Sequence, residues 1–183
     1  MSSPATPRGR PLDPEVGAAA LRATLELLDE RGYGGLRVSD VAARAGIGLG
    51  ALYRRWDSKR SLVVSALRSA AAEHEPAETG DPVEDLVAGL SSLAEELHGR
   101  AARLLAVALS GEDPELAAVV REAKIVPRIE ANRARTRRAL GEPAGAEVRA
   151  DLGLGLILLG LLADGDAPSA ERIRAEIVPR MLG

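Results

Sequence analysis

Residues 38–56 read Val-Ser-Asp-Val-Ala-Ala-Arg-Ala-Gly-Ile-Gly-Leu-Gly-Ala-Leu-Tyr-Arg-Arg-Trp. Val41, Ala42, Ala45, Ile47 and Leu52 are spaced to hold two short helices together, one over 38–45 and one over 49–56. Gly46 sits where the turn between them demands a positive φ. The pattern is a helix-turn-helix, with the motif spanning 37–56. Packing the apolar set inward leaves Gly48, Leu49, Gly50, Tyr53, Arg54 and Arg55 outward, on a helix short enough to enter a major groove. An ordinary helical hairpin would show the same bare pattern.

Working outward, every neighbouring segment also reads as helix. Asp13-Pro14-Glu15 gives a cap, a first-turn proline and an acid, and Val16, Ala20, Ala23, Leu27 and Leu28 follow at helical spacing. Gly32 is expected to stop that helix after Arg31. Ser58 is placed to cap a long helix to Glu75, ahead of a polar linker over 76–82. Asp81-Pro82 opens a helix with Leu86, Leu90, Leu93 and Leu97 in one stripe, and Gly99 marks a break. A helix over 100–110 stops at Ser110-Gly111. Asp113-Pro114 opens one running to Leu140, with Pro127 as a kink or join. Gly141-Glu142-Pro143 is a loop, and helices over 146–163 and 169–182 close the chain. No alternating β-branched run or hairpin signal interrupts the series. The fold expected is all-α: a three-helix domain over 13–60 that holds the helix-turn-helix, after a basic arm at 1–12, then a helical bundle over 61–183, about nine helices in all.

Composition narrows the chemistry. The 183 residues are 46% hydrophobic and 28% charged, a globular balance without cysteine, so disulfides, thiolate metal sites and cysteine nucleophiles are excluded. Two histidines, His74 and His98, leave few metal ligands. No apolar leader opens the chain, and the longest apolar stretch, about 12 residues, is short of the ~20 a membrane span needs. A cytoplasmic location, with no membrane association, is expected. The net charge of −3 divides into +3 over residues 1–60 and −6 over the rest. A basic end on an acidic body points to nucleic acid at one end.

The stretch GYGGLRVSDVAARAGIGLGALYRRWDSKRSLV resembles the DNA-binding domain of the tetracycline-repressor (TetR) family of bacterial transcription regulators. The shared pattern is apolar-x-Asp-apolar-Ala-x-x-Ala-Gly-apolar, a turn, then Leu-Tyr-x-x-aromatic-x-Ser-Lys-x-x-Leu, over residues 38–62. The resemblance implies that Tyr53 donates to a DNA phosphate. It places Lys59 at a helix start, where ammonium and helix N-terminus both favour phosphate. Trp56 stands where phenylalanine is commoner and is expected to pack. Of Arg54 and Arg55, one reaches DNA and the other is a solvated charge. Arg37 replaces the family's Thr or Ser cap: either Ser39 caps a later start, or Arg37 meets the phosphate itself. Leu49 and Ala51 stand where Lys and Thr often occur, and a leucine can meet a thymine methyl. Arg8-Gly9-Arg10-Pro11 resembles an AT-hook whose arginines enter the minor groove; the alternative is a disordered basic leader.

The same resemblance implies a C-terminal domain that dimerises through its last two helices and holds a small molecule. Residues 152–162 are apolar on nearly every face, as expected of a helix buried all round, in part by its own domain and in part by a partner. Leu152, Leu156 and Leu159, with Ile173 and Ile177 in the closing helix, are the dimer-contact candidates. With no aromatic residue beyond 56, any pocket is aliphatic and its ligand apolar. His98, Arg103, Asn132 and Thr136 are the polar candidates to orient that ligand. Rival readings are a helical partner-binding module, an activator without ligand control, and an enzyme. Glu95-x-x-His98 has the spacing of a di-iron ligand pair, but His74 has Ala71 where a second glutamate should stand. The expectation is therefore a homodimeric, sequence-specific regulator: a repressor that leaves a pseudo-palindromic operator when its ligand binds. No catalytic residue, cofactor or metal is expected.

Overall fold

The computed structural model describes residues 14–98, 100–141 and 144–183. The arm with Arg8 and Arg10, the cap Asp13, the break at Gly99 and the loop residues Glu142 and Pro143 lie outside the described residues. Among the described residues all regular structure is helical, in nine helices. The chain divides into two compact units between Ala66 and Leu67.

The first unit holds α1 (Pro14–Gly35), α2 (Val38–Ala45), α3 (Leu49–Tyr53) and the start of α4 (Lys59–Ala72). The inward stripe of α1 is Ala20, Ala23, Thr24, Leu27 and Leu28, all buried. Thr24 fits that stripe because its hydroxyl donates to the Ala20 carbonyl at 2.8 Å. Gly32 breaks the helix as expected, at φ 68°, and one further helical turn after it carries Tyr33 into the core. Leu36, Val41, Leu52, Leu62 and Val63 complete a tight aliphatic centre. The second helix of the motif is shorter than the expected 49–56. Its last turn tightens, so that the Leu52 carbonyl receives both Arg55 N and Trp56 N at 2.9 Å. Ser58 caps α4 as expected: Ser61 N donates to Ser58 Oγ at 3.1 Å, while Ser58 N donates to Ser61 Oγ at 3.2 Å.

The second unit contains α5 (Pro82–Glu96), α6 (Arg100–Ser110), α7, α8 (Ala146–Asp164) and α9. α7 joins Pro114–Val120 to Val126–Leu140 through a π-helical turn at Arg121–Ile125. α9 is built likewise, from Ala170–Arg172, a π-turn at Ile173–Ile177, and Val178–Leu182. Both π-turns end two residues before a proline, Pro127 and Pro179. A proline lacks the N–H for the next bond and its ring crowds the carbonyl four residues back, so a widened turn admits it without a break. Asp81 and Asp113 cap α5 and α7 with side-chain bonds of 2.9 Å to Val83 N and Leu116 N. The core gathers Leu86 and Leu90 of α5, Ile157 of α8, and Ile173, Ile177 and Met181 of α9. The side of α8 bearing Val148, Leu152, Leu159 and Leu162 is exposed, so this helix is not covered all round by its own chain.

Candidate nucleic-acid interface

The helix-turn-helix owes its angle to Gly46, which takes φ 68° and ψ 30° and whose N–H closes on the end of α2. A side chain there would be strained in the left-handed region, so glycine is what lets α2 stop and α3 turn away. Val41 and Ala42 on α2 and Leu52 on α3 bury into the unit's core and fix the two helices against α1. The opposite sides of both helices are thereby left outward.

Ion pairs lock α2 onto α1. Arg44 meets Glu30 with two bonds of 2.9 Å and reaches Glu26 at 3.4 Å. Hydrogen bonding from Arg44 holds the Glu30 carboxyl below its ordinary range, and the same bonds raise the guanidinium's pKa. Arg31 pairs with Asp40. These are exposed pairs of modest worth singly; their orientation across two helices gives them a positioning role. Sequence reading missed them. The available signal was Glu26 and Glu30, four apart on one side of α1, facing the lone arginine in the last turn of α2.

The outward surface carries Gly48, Leu49, Gly50, Tyr53 and Arg54, all exposed, with Ala51 half-buried. Two glycines and a leucine at the start of α3 let a partner's surface approach the backbone closely. Arg54 and Arg55 part company: Arg54 is exposed, while the Arg55 guanidinium lies against Gly17 of α1, where a Cβ would come within 2.8 Å of it. Arg37 is the exposed N-cap of α2 and makes no side-chain cap bond. Ser39 lies inside α2 and does not cap a later start, because the Arg37 carbonyl already accepts from Asp40 N and Val41 N. Its hydroxyl donates to Asp40 at 3.3 Å. Lys59 is part-buried: Nζ donates to the Tyr33 carbonyl at 2.9 Å and stands 4.2 Å from the Tyr33 ring centroid. Trp56 is half-buried, consistent with packing.

The remaining candidates fall in the second unit. Leu152 and Leu159 are exposed and Leu156 is half-buried against the core. Ile173 and Ile177 are buried in the chain's own core with Leu86 and Leu90, and Ile177 also lines an open groove with Leu156, Leu159 and Gly160. Of the four polar ligand candidates, Asn132 donates to the Ala150 carbonyl at 2.8 Å and Thr136 to the Asn132 carbonyl at 2.9 Å, both buried. Arg103 is exposed. His98 pairs with Asp166 and contacts the Ala94 carbonyl at 2.9 Å. None of the four lines a half-open apolar cavity of about 190 Å³ between α5, α6, α7 and α8. Its polar wall is Glu96, Lys124 and Arg128, which sequence reading passed over. The spacing of Lys124 and Arg128, four apart beside Val120 and Ile129, was the signal. Among the described residues no three His, Asp or Glu side chains gather as metal ligands, and no helix is long and apolar enough to cross a membrane.

A helix-turn-helix braced by ion pairs, with one outward surface of glycine, tyrosine and arginine, in a chain that carries a second helical unit, defines a DNA-binding regulator. The sequence profile of bacterial regulatory proteins of the tetR family matches residues 20–66. The chain is 30% identical over 175 residues to the HTH-type transcriptional regulator YdeS of Bacillus subtilis, covering 91% of this chain and 88% of that one. Among solved structures it is similar to the TetR family transcription regulator SCO0332, with 26% identity and a TM-score of 0.63 over 92% of this chain and 97% of that one. The fold is also that of the multidrug binding protein EbrR complexed with imidazole, at 24% identity and a TM-score of 0.61 over 98% of each chain. The protein belongs to the TetR family of transcriptional regulators.

Proposed function

We propose that the protein is a homodimeric repressor that occupies a pseudo-palindromic operator and leaves it when a small, largely apolar ligand enters the cavity of the second unit. The observation carrying the DNA half of this reading is the exposure of Leu49, Gly50, Tyr53 and Arg54 along α3, together with that of Arg37; on this reading Leu49 and Gly50 meet base edges, and Tyr53, Arg54 and Arg37 meet phosphates. Lys59 would add a phosphate contact through donors that Tyr33 does not use.

The dimer half rests on α8. Val148, Leu152, Gly155, Leu159 and Leu162 recur at helical spacing on one exposed strip, and a Cβ at Gly155 would meet nothing within 4 Å. With 59% of Leu159 and 82% of Leu162 exposed, a second copy of the strip is the natural cover. A cavity almost wholly aliphatic supports the ligand half, as does the presence of a small molecule in EbrR on the same fold. The unit boundary falls within α4, a continuous helix. A ligand preferring one position of its far end would therefore bias the DNA-binding end.

Selecting bound genomic fragments with the purified protein tests this reading. The expected product is a repeated half-site in inverted orientation, with centres about one helical turn, ~34 Å, apart. Fragments without a shared repeat would overturn it.

A further inference from the structure

The cavity of the second unit is apolar except along one wall. Leucines from α5, α6 and α8 line most of it, and α7 contributes Val120, Lys124, Ile125, Arg128 and Ile129, one side of a helix that widens at its π-turn. The third ionised group is Glu96 from α5. Its carboxylate receives Lys124 Nζ at 3.3 Å and the Arg128 guanidinium. All three side chains are largely out of water: Glu96 is 8% exposed, Arg128 13% and Lys124 17%. Arg128 turns its other terminal nitrogen to Glu75, at 3.5 Å.

The cavity wall thus holds two cations to one carboxylate, and since Arg128 shares Glu75 with Arg135, the linked group as a whole is three cations to two carboxylates. Placing an unbalanced charge against hydrocarbon is costly, and a second anion delivered into the cavity relieves that cost. Lysine brings three donors and arginine five; Glu96 engages one from each and Glu75 one more from Arg128, so further donors can serve an incoming carboxylate. A cationic ligand would meet the same wall as repulsion, and a neutral one would leave the imbalance in place. An apolar cavity of 150 Å³ holds a benzene ring, so about 190 Å³ suits an apolar body of roughly six to eight carbons.

We infer that the ligand of this cavity is an amphipathic monocarboxylate, its chain among the leucines of α5, α6 and α8 and its head on Lys124 and Arg128. This inference rests on the proposed ligand control of DNA binding and names the ligand class for it. Glu96 is then a positioning residue: it holds both cations at the cavity wall before the ligand arrives.

The test is calorimetric titration of the full-length protein, without DNA, using octanoate, 1-octanol and octylammonium. Octanoate is expected to bind at least tenfold more tightly than octanol, and octylammonium more weakly than either. Lys124→Gln should lower octanoate affinity about tenfold, the worth of a charge-assisted hydrogen bond, while leaving octanol affinity unchanged. The retained octanol binding also reports that the variant is folded. Octylammonium binding as well as octanoate, equal loss of octanoate and octanol in the variant, or no binding of any probe would each overturn the inference. A mobility shift then separates the two proposals. Octanoate that binds without releasing DNA leaves this inference standing and removes ligand control. Release by a neutral or cationic compound with no octanoate binding does the reverse.

Discussion

Tyr53 and Lys59 divide the labour between fold and interface differently. The exposed Tyr53 hydroxyl lies on the outward surface of α3, so Tyr53→Phe removes a donor without opening the core. It should leave the melting temperature unchanged and weaken every DNA site by a similar factor, about two- to tenfold, the range of one hydrogen bond. Loss confined to particular base pairs in a binding-site selection would contradict a phosphate contact. Lys59 is already engaged with the carbonyl and ring of Tyr33, so Lys59→Ala should lower thermal stability as well as affinity. A backbone contact would show further as a salt slope smaller by about 0.9. His98 offers a pH readout in the second unit. Its bond to Asp166 raises the imidazole pKa above the ordinary 6.5, with burial opposing. A raised folded-state value means that the pair's contribution to stability is fully present below the unfolded pKa, near 6.5, and is lost as pH rises through the folded pKa. NMR titration should show His98 above 6.5 in the native protein and lowered toward it in Asp166→Asn.

Helix ends were the part of the elements most open to sequence reading, and side-chain partners the part least so. Asp81, Asp113 and Ser58 cap where their identities say they should, because a cap is a local contract between one oxygen and an N–H two or three residues on. Gly32 and Gly46 turn as expected for the same local reason. The burial of Ile173 and Ile177 within the chain was not legible, since apolar periodicity cannot tell a surface covered by the same chain from one covered by a copy. Nor was the polar wall of the cavity, where Glu96 and Lys124 meet across 28 positions of sequence. α2 carries a testable defect of capping. Arg37 takes extended backbone at φ −118° and ψ 138°, as a cap residue does, yet supplies no oxygen to the first turn. Arg37→Ser should therefore raise folding stability by about 1 kcal/mol, read from the denaturant midpoint. An unchanged or lower midpoint would mean that the arginine contributes a contact of its own to the first turn.

The two units of the chain place different demands on one molecule. A single recognition helix of five residues, with leucine and two glycines at its start, offers few base-directed hydrogen bonds. On the proposed reading, specificity and affinity for an operator come from two copies engaging two half-sites at once. Joining two binding events raises overall affinity by about 10²–10⁴ without any new contact, provided that the pairing holds both copies in register. The exposed strip of α8 is where that pairing is expected, and Leu159 is the residue on which to test it. Its neighbours along the helix are poorer choices: Leu156 leans on the core and Gly153 lies against the buried Met181, so changes there would mix unfolding with dissociation. Leu159 is more than half exposed within its own chain, and Leu159→Arg should leave the fold of the single chain intact, with helix content unchanged by circular dichroism. Two arginines brought together across a symmetric contact would repel each other in a desolvated setting, so the variant should sediment as a monomer at micromolar concentration while the parent sediments as a dimer. Operator affinity should fall by about 10² or more, the lost avidity, while binding to an isolated half-site stays the same. A variant that remains dimeric with full operator affinity would take this strip out of the interface.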